Sequence, residues 1–281
     1  MSLSRTSTVI KPNKGLLDYK INELWRYRDL LILFIKRDIL TVYKQTILGP
    51  LWYIIQPALT TLMFTFVFGK MANISTDGLP HVLFYLLGIT FWSYFADCLN
   101  KTSNTFVLNQ AIFGKVYFPR AIVPASTVIS ALAKLLVQLL LFLGVWAYYL
   151  NEGVINPNWQ IIFLTPLVIL FFGGISLGFG MLFSSLTTKY KDLSFLLAFG
   201  VQLWMYVSPV IYPMSSIPNK YLLLIKWNPI APLLEVLRYG FLGRGTFDLS
   251  MFAYSGFFSF LILALGYCVF TKVEQNFMDT V

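Results

Sequence analysis

RDILTVYKQTILGPLW, residues 37–52, changes character within a few residues. Arg37, Asp38 and Lys44 belong in water, yet from Gly49-Pro50 onward the chain is apolar almost without interruption to Gly69. A charged amphipathic segment joined so abruptly to such a run reads as a chain turning from a membrane surface into the bilayer.

Bulk composition agrees. Of 281 residues, 57% are hydrophobic and 12% charged, against roughly 25% charged for a soluble globular protein. The mean hydropathy is +0.71, and the charges are confined to a few islands. The net charge of +9 favours an anionic membrane surface over nucleic acid in so apolar a chain. Cys98 and Cys268 lie in or beside apolar runs and form no metal or disulfide pattern. The opening MSLSRTSTVIKPNKG lacks the apolar core of a signal peptide, so insertion is expected to use the first true span.

Six runs, at 51–69, 82–99, 121–150, 161–186, 193–212 and 251–271, match the ~20 residues that cross a bilayer. The expected fold is therefore all-α and integral to the membrane. Six spans put residues 1–50, 100–120, 187–192 and 272–281 on one side, with 15 of the 21 Lys and Arg. The opposite side carries 5, and Lys134 lies inside the third span. This asymmetry predicts cytoplasmic termini.

Residues 1–19 read as a cytoplasmic arm and 20–50 as an interface helix with its elbow. Ile21, Leu24, Trp25, Leu31, Ile32, Ile35, Ile39 and Val42 recur at helical spacing, with Arg26, Lys36, Arg37 and Lys44 mostly opposite. Pro50 suits the first turn of the helix that follows. Residues 51–281 form the six-span domain. Before its last span, Tyr221–Trp227 and Ile230–Phe241 are too short to cross and are divided by Asn228-Pro229. They read as two re-entrant half-helices bordering a cavity, or as amphipathic helices of an outer loop.

The chain offers little for catalysis. It has one histidine, His81, no paired-carboxylate or nucleophile motif, and no GxxxxGK[ST] phosphate loop. It is therefore expected neither to be an enzyme nor to hydrolyse ATP by itself; no catalytic or metal-binding residue is assigned. Lys134 and Gln138 stand one turn apart in an apolar span, so Lys134 either lines a polar path or snorkels to the interface. Trp52, Tyr53, Phe64, Trp204 and Tyr206 form interfacial belts or stack on sugar rings along a conduit. The GGISLGFG run in the fourth span packs helices closely, within one chain or between two. Glu235 and Arg238 are spaced for a local ion pair.

The chain resembles the membrane subunit of type-2 ABC exporters of lipid-linked bacterial polysaccharides. The resemblance runs from about residue 20 through YKQTILGPLW (43–52) with Gln56-Pro57, KVYFPR (115–120) and SPVIYP (208–213). It continues in Asn228-Pro229-x-x-Pro232 with Arg238-Tyr239, and in the tail from Glu274 to Val281. It implies a homodimeric channel in a bacterial inner membrane, driven by two copies of a separate P-loop ATPase that uses ATP and Mg. It makes residues 20–45 a gate helix and 101–119 a coupling segment touching that ATPase, with Lys115, Tyr117, Phe118, Pro119 and Arg120. The outer gate is 213–243, with Asn228, Pro229, Pro232, Glu235 and Arg238. The expected cargo is an undecaprenyl-linked polysaccharide, most simply O-antigen, entering beside Trp25, Arg26, Arg28, Lys36, Arg37 and Lys44. The alternatives are a type-2 exporter of a drug or small lipid, a headgroup enzyme, and a secondary transporter. The enzyme would need a polar cluster at one face, and the secondary transporter two similar halves; neither feature is seen.

Overall fold

A computed structural model of the chain describes residues 25–44, 48–116, 118–190 and 192–280. They contain helices and no strand among the described residues. Helix α1 (Arg28–Lys44) is followed by a short 3₁₀ turn at Gly49–Leu51. Gly49 has φ +48°, a left-handed conformation costly to any residue with a Cβ, and Pro50 opens the helix behind it. Gly49 and Pro50 thus set the backbone at the start of the helix that follows.

Helix α2 (Trp52–Phe64) runs on as a π-helical turn through Thr65–Met71. Then come α3 (His81–Thr102), α4 (Thr105–Phe113), α5 (Ile122–Asn151), α6 (Trp159–Ile162) and α7 (Thr165–Thr187). The chain ends with α8 (Leu193–Val207), α9 (Asn219–Lys226), α10 (Ile230–Leu242) and α11 (Leu249–Thr280). Among the described residues, five helical runs are long and apolar enough to cross a membrane: Gly49–Met71, α3, α5, α7 and Leu249–Glu274.

The run expected as a fifth span at 193–212 is where the outcome differs. Helix α8 has 15 residues, giving ~22 Å against a ~30 Å hydrocarbon core. It stops because Ser208 is extended (φ −86°, ψ 146°), the backbone that a following proline favours. Ser208, Val210 and Ile211 are nevertheless buried. Apolar length was visible in the sequence; the change from helix to irregular backbone was not.

Helix α3 is the axis of the fold. It packs against α2, α5, α7, α8 and α10, and Phe84, Tyr85, Phe91 and Phe95 are buried along it. The most extensive helix pair is α7 with α11, and the small residues of the GGISLGFG run explain it. A Cβ on Gly178 would lie 2.6 Å from the backbone of Ile262 in α11. Gly173 faces Tyr94 and Gly180 faces Thr102, both on α3. The run therefore packs helices within one chain.

Candidate functional site

The ends of α3, α7 and α11 and the start of α5 gather at one end of the bundle with α1 and α4, forming a second apolar core. It contains Phe34, Phe106, Phe113, Phe118, Ile122, Met181 and Phe270. Phe34 of α1 meets Phe118 edge-on at 5.7 Å, and Phe118 lies 5.8 Å from Phe113 of α4. Phe106 stacks on Phe270 of α11 at 4.5 Å. Arg37 covers Phe34 at 4.7 Å and donates to Asp38, while Arg120 covers Phe113 at 5.4 Å. The backbone N–H of Arg120 donates to Glu274 Oε1 (3.2 Å), and its guanidinium donates to the Glu274 carbonyl (3.0 Å). A surface helix, the 101–120 segment and the last span are thereby one packed unit.

Helix α1 meets the protein along a side next to the apolar stripe expected to lie at the membrane interface. Its buried anchor is Phe34, while Trp25 and Ile32 are exposed and Ile35 and Ile39 half-buried. The helix is apolar on two sides, one against the protein through Leu30, Leu31 and Phe34, the other open at Ile32, Leu33 and Leu40. Arg26, Arg28, Lys36 and Lys44 are exposed and Arg37 is half-buried. Ile21 and Leu24 lie outside the described residues, as does Tyr117 of the expected coupling segment; Phe118 and Pro119 are buried, and Lys115 is exposed.

Midway along the bundle, Lys134 of α5 donates to Asp97 of α3 at 2.5 Å, and its ammonium lies 5.8 Å over the Tyr53 ring. One turn on, Gln138 accepts from Ser93 Oγ of α3 at 2.8 Å. Lys134 and Gln138 both address α3. Phe64 packs edge-on against Tyr85. Trp204 sits between Phe95 and Phe179 at 5.2 and 5.5 Å, inside the chain's own aromatic core. Trp52 and Tyr206 are exposed.

At the other end, α10 is buried along nearly its whole length against α3, α6, α7 and α11. Arg238 donates to Glu235 Oε1 at 2.9 Å and packs over the Phe84 ring at 3.9 Å. Its guanidinium also donates to the carbonyls of Pro209, Val210 (3.2 Å) and Tyr212 (3.4 Å). These belong to the irregular stretch that follows α8. Arg238 thus satisfies backbone acceptors where α8 has stopped being a helix, and buried backbone requires such partners. Asn228, between α9 and α10, donates to Ser208 Oγ (2.8 Å) and accepts from Trp204 Nε1 (3.2 Å). Pro229 and Pro232 are buried beside it.

Next to this clamp is a cavity of about 730 Å³, bounded by Asp77, Ser215, Lys226, Glu235 and the turn Gly243–Thr246. Nearby, Asp248 accepts from the N–H and hydroxyl of Ser250 at the start of α11. Those hydrogen bonds hold its carboxyl below its ordinary range.

Comparison with known proteins adds to this geometry. Residues 29–242 match the family model described as ABC-2 type transporter, a span running from α1 through α10. The chain belongs to the ABC-2 type transporter family. Curated relatives of this ABC-2 transporter chain include an O-antigen export system permease protein of Klebsiella pneumoniae. It is 25% identical over 251 residues, covering 89% of this chain and 94% of the relative. A namesake from Myxococcus xanthus is 26% identical, covering 76% and 80%. A polysialic acid transport protein of Escherichia coli is 23% identical, covering 87% and 93%.

The structure also brings forward residues of this ABC-2 chain that sequence reading left out. Asp97 is the partner of Lys134, and opposite charges in two apolar spans were the available signal. Glu274, singled out only as part of the tail motif, is the partner of Arg120, and Phe84, which no sequence signal pointed to, is the ring beneath Arg238. Among the described residues no group of three or more His, Cys, Asp or Glu is placed to hold a metal ion.

Proposed function

We propose that this chain is the channel-forming permease of an ATP-driven exporter that carries undecaprenyl-linked polysaccharide, O-antigen most simply, out of the cytoplasm. Two copies form the channel in a bacterial inner membrane, and two copies of a P-loop ATPase hydrolyse ATP with Mg. The observation that carries the reading is the shared core of Phe34, Phe118, Phe113 and Phe270, because it joins the surface helix, the coupling segment and a span into one movable body. Family membership and the named exports of the relatives support it.

In this reading α8 and the stretch 208–212 together make the sixth crossing, with both termini cytoplasmic. Helices α9 and α10 re-enter from the outer side as half-helices, and Arg238 holds the outer gate. The exposed Val107, Leu108 and Val116 offer the ATPase an apolar contact. Arg26, Arg28, Lys36 and Lys44 attract the pyrophosphate of the cargo, since charge-assisted hydrogen bonds to phosphate are strong.

Two measurements test this. Deletion of the gene should accumulate lipid-linked glycan inside the cell, whereas unchanged glycan with loss of drug or lipid efflux would transfer the reading to a small-molecule exporter. Gentle purification of the tagged chain should recover a stoichiometric P-loop ATPase. Reproducible recovery of an active transporter alone would overturn ATP-driven export.

A further inference from the structure

The cavity beside the outer clamp is lined by two carboxylates, Asp77 and Glu235, and two cations, Lys226 and Arg244, with Arg238 behind Glu235. Asp77 accepts from Ser215 Oγ at 2.6 Å, which ties the loop before α3 to the segment before α9. Glu235 contributes a carboxylate whose side chain is 5% exposed and whose Oε1 is held by Arg238. Its other oxygen faces the turn, where a Cβ on Gly245 would stand 2.8 Å away. Gly245 has φ +108°, so glycine supplies both the backbone conformation and the space. Lys226 and Arg244 face the same cavity and are in no ion pair among the described residues. Met214 and Leu222 add apolar wall.

We propose that this cavity is a carbohydrate subsite that holds a neutral sugar unit of the polymer as it leaves the outer gate; the cargo rests on the export reading above. A sugar hydroxyl donates one hydrogen bond and accepts others, so it needs a wall offering both. Asp77 and Glu235 accept, Lys226 and Arg244 donate, and Ser215 does either. An oxyanion drawn to the two cations would meet two carboxylates in the same space, and a metal cation would meet the ammonium and guanidinium. A polyol, which both donates and accepts, uses acceptors and donors together. The volume of about 730 Å³ falls within the ~300–1,000 Å³ of small-molecule sites, and Met214 and Leu222 suit the C–H faces of a ring. A unit retained here opposes back-sliding of the polymer between strokes.

The test uses the complete chain in lipid nanodiscs, with saturation-transfer NMR and two probes. One is the host's surface polysaccharide freed of lipid by mild acid; the other is inorganic phosphate. The variants are K226Q/R244Q, which replaces both cationic donors by neutral ones, and D77N, which removes the carboxylate charge with a residue that tolerates the left-handed backbone of Asp77 (φ +55°). Loss of charge assistance in these hydrogen bonds should weaken glycan binding roughly tenfold in each variant, with no effect of phosphate. Glycan affinity unchanged in both variants would overturn the subsite. Phosphate that binds, displaces the glycan and is lost in K226Q/R244Q would replace it with an oxyanion site. The two readings fail separately: if deletion accumulates lipid-linked glycan but the variants bind like the wild type, only the subsite falls. If deletion accumulates no glycan, the export reading falls and takes the proposed cargo with it.

Discussion

Lys134 Nζ lies 2.5 Å from Asp97 Oδ2, across the interface of α5 and α3. Both side chains are largely covered, at 16% and 34% exposed, so each charge has given up much of its hydration. Removing one partner leaves the other uncompensated, which is the costly change for such pairs.

K134M and D97L should each lower the melting temperature in detergent, by a stability loss of about 1–3 kcal/mol after allowance for partial exposure. The double variant K134M/D97L should recover most of it, since two apolar groups replace two charges. Additive single effects, with no recovery in the double variant, would show that the pair is not the source of either loss.

Arg238 is the most heavily engaged cation described, with one carboxylate, one ring and three backbone carbonyls. R238K retains charge but loses the planar fork that reaches several acceptors at once. R238K should already be destabilising, and R238M more so by leaving Glu235 unpaired, with a loss of roughly 3–5 kcal/mol. Proteolysis between residues 208 and 218 should increase in both variants. Resistance equal to the wild type would mean that the stretch after α8 is held by other contacts.

Sequence reading was strongest where a feature is periodic or local. The long apolar helices, the helix start at Gly49-Pro50 and the split at Asn228-Pro229 all fall into these classes. It was weaker wherever the decisive partner is remote. The ring that anchors α1, Phe34, was missed because the helix is apolar on two sides, so periodicity does not tell which side meets protein. The partner of Arg120 is Glu274, at the far end of the chain. Helix α8 was overestimated because hydropathy scores residues, whereas Arg238 makes it possible for 208–212 to be apolar, buried and non-helical.

Glycines provide a paired test. A Cβ on Gly178 would approach the Ile262 backbone to 2.6 Å, whereas one on Gly144, in the middle of α5, would meet nothing within 4 Å. G178A should force α7 and α11 apart at a cost of about 1–3 kcal/mol. G144A should instead gain up to ~1 kcal/mol from helix propensity. Thermal unfolding of both variants in the same detergent checks the sign of each. Equal shifts would contradict the close α7–α11 approach.

In the export reading, coupling to the ATPase separates into an internal and an external contribution. Phe118 is 4% exposed within the core that holds α1, so F118A should destabilise the permease by roughly 3–5 kcal/mol. Leu108, by contrast, is 72% exposed and Val116 is 59% exposed, and neither is in the aromatic core. L108D/V116D should leave the melting temperature of the isolated permease unchanged, because surface substitutions away from packed features are nearly neutral. In the export reading these residues meet the ATPase, so the same variant should lose co-purification of that subunit and abolish export. A milder variant, F118L, keeps apolar volume and should retain the ATPase while reducing export, since it loosens the contact that transmits motion to α1. Retention of both the ATPase and full export by L108D/V116D would move the docking surface away from α4.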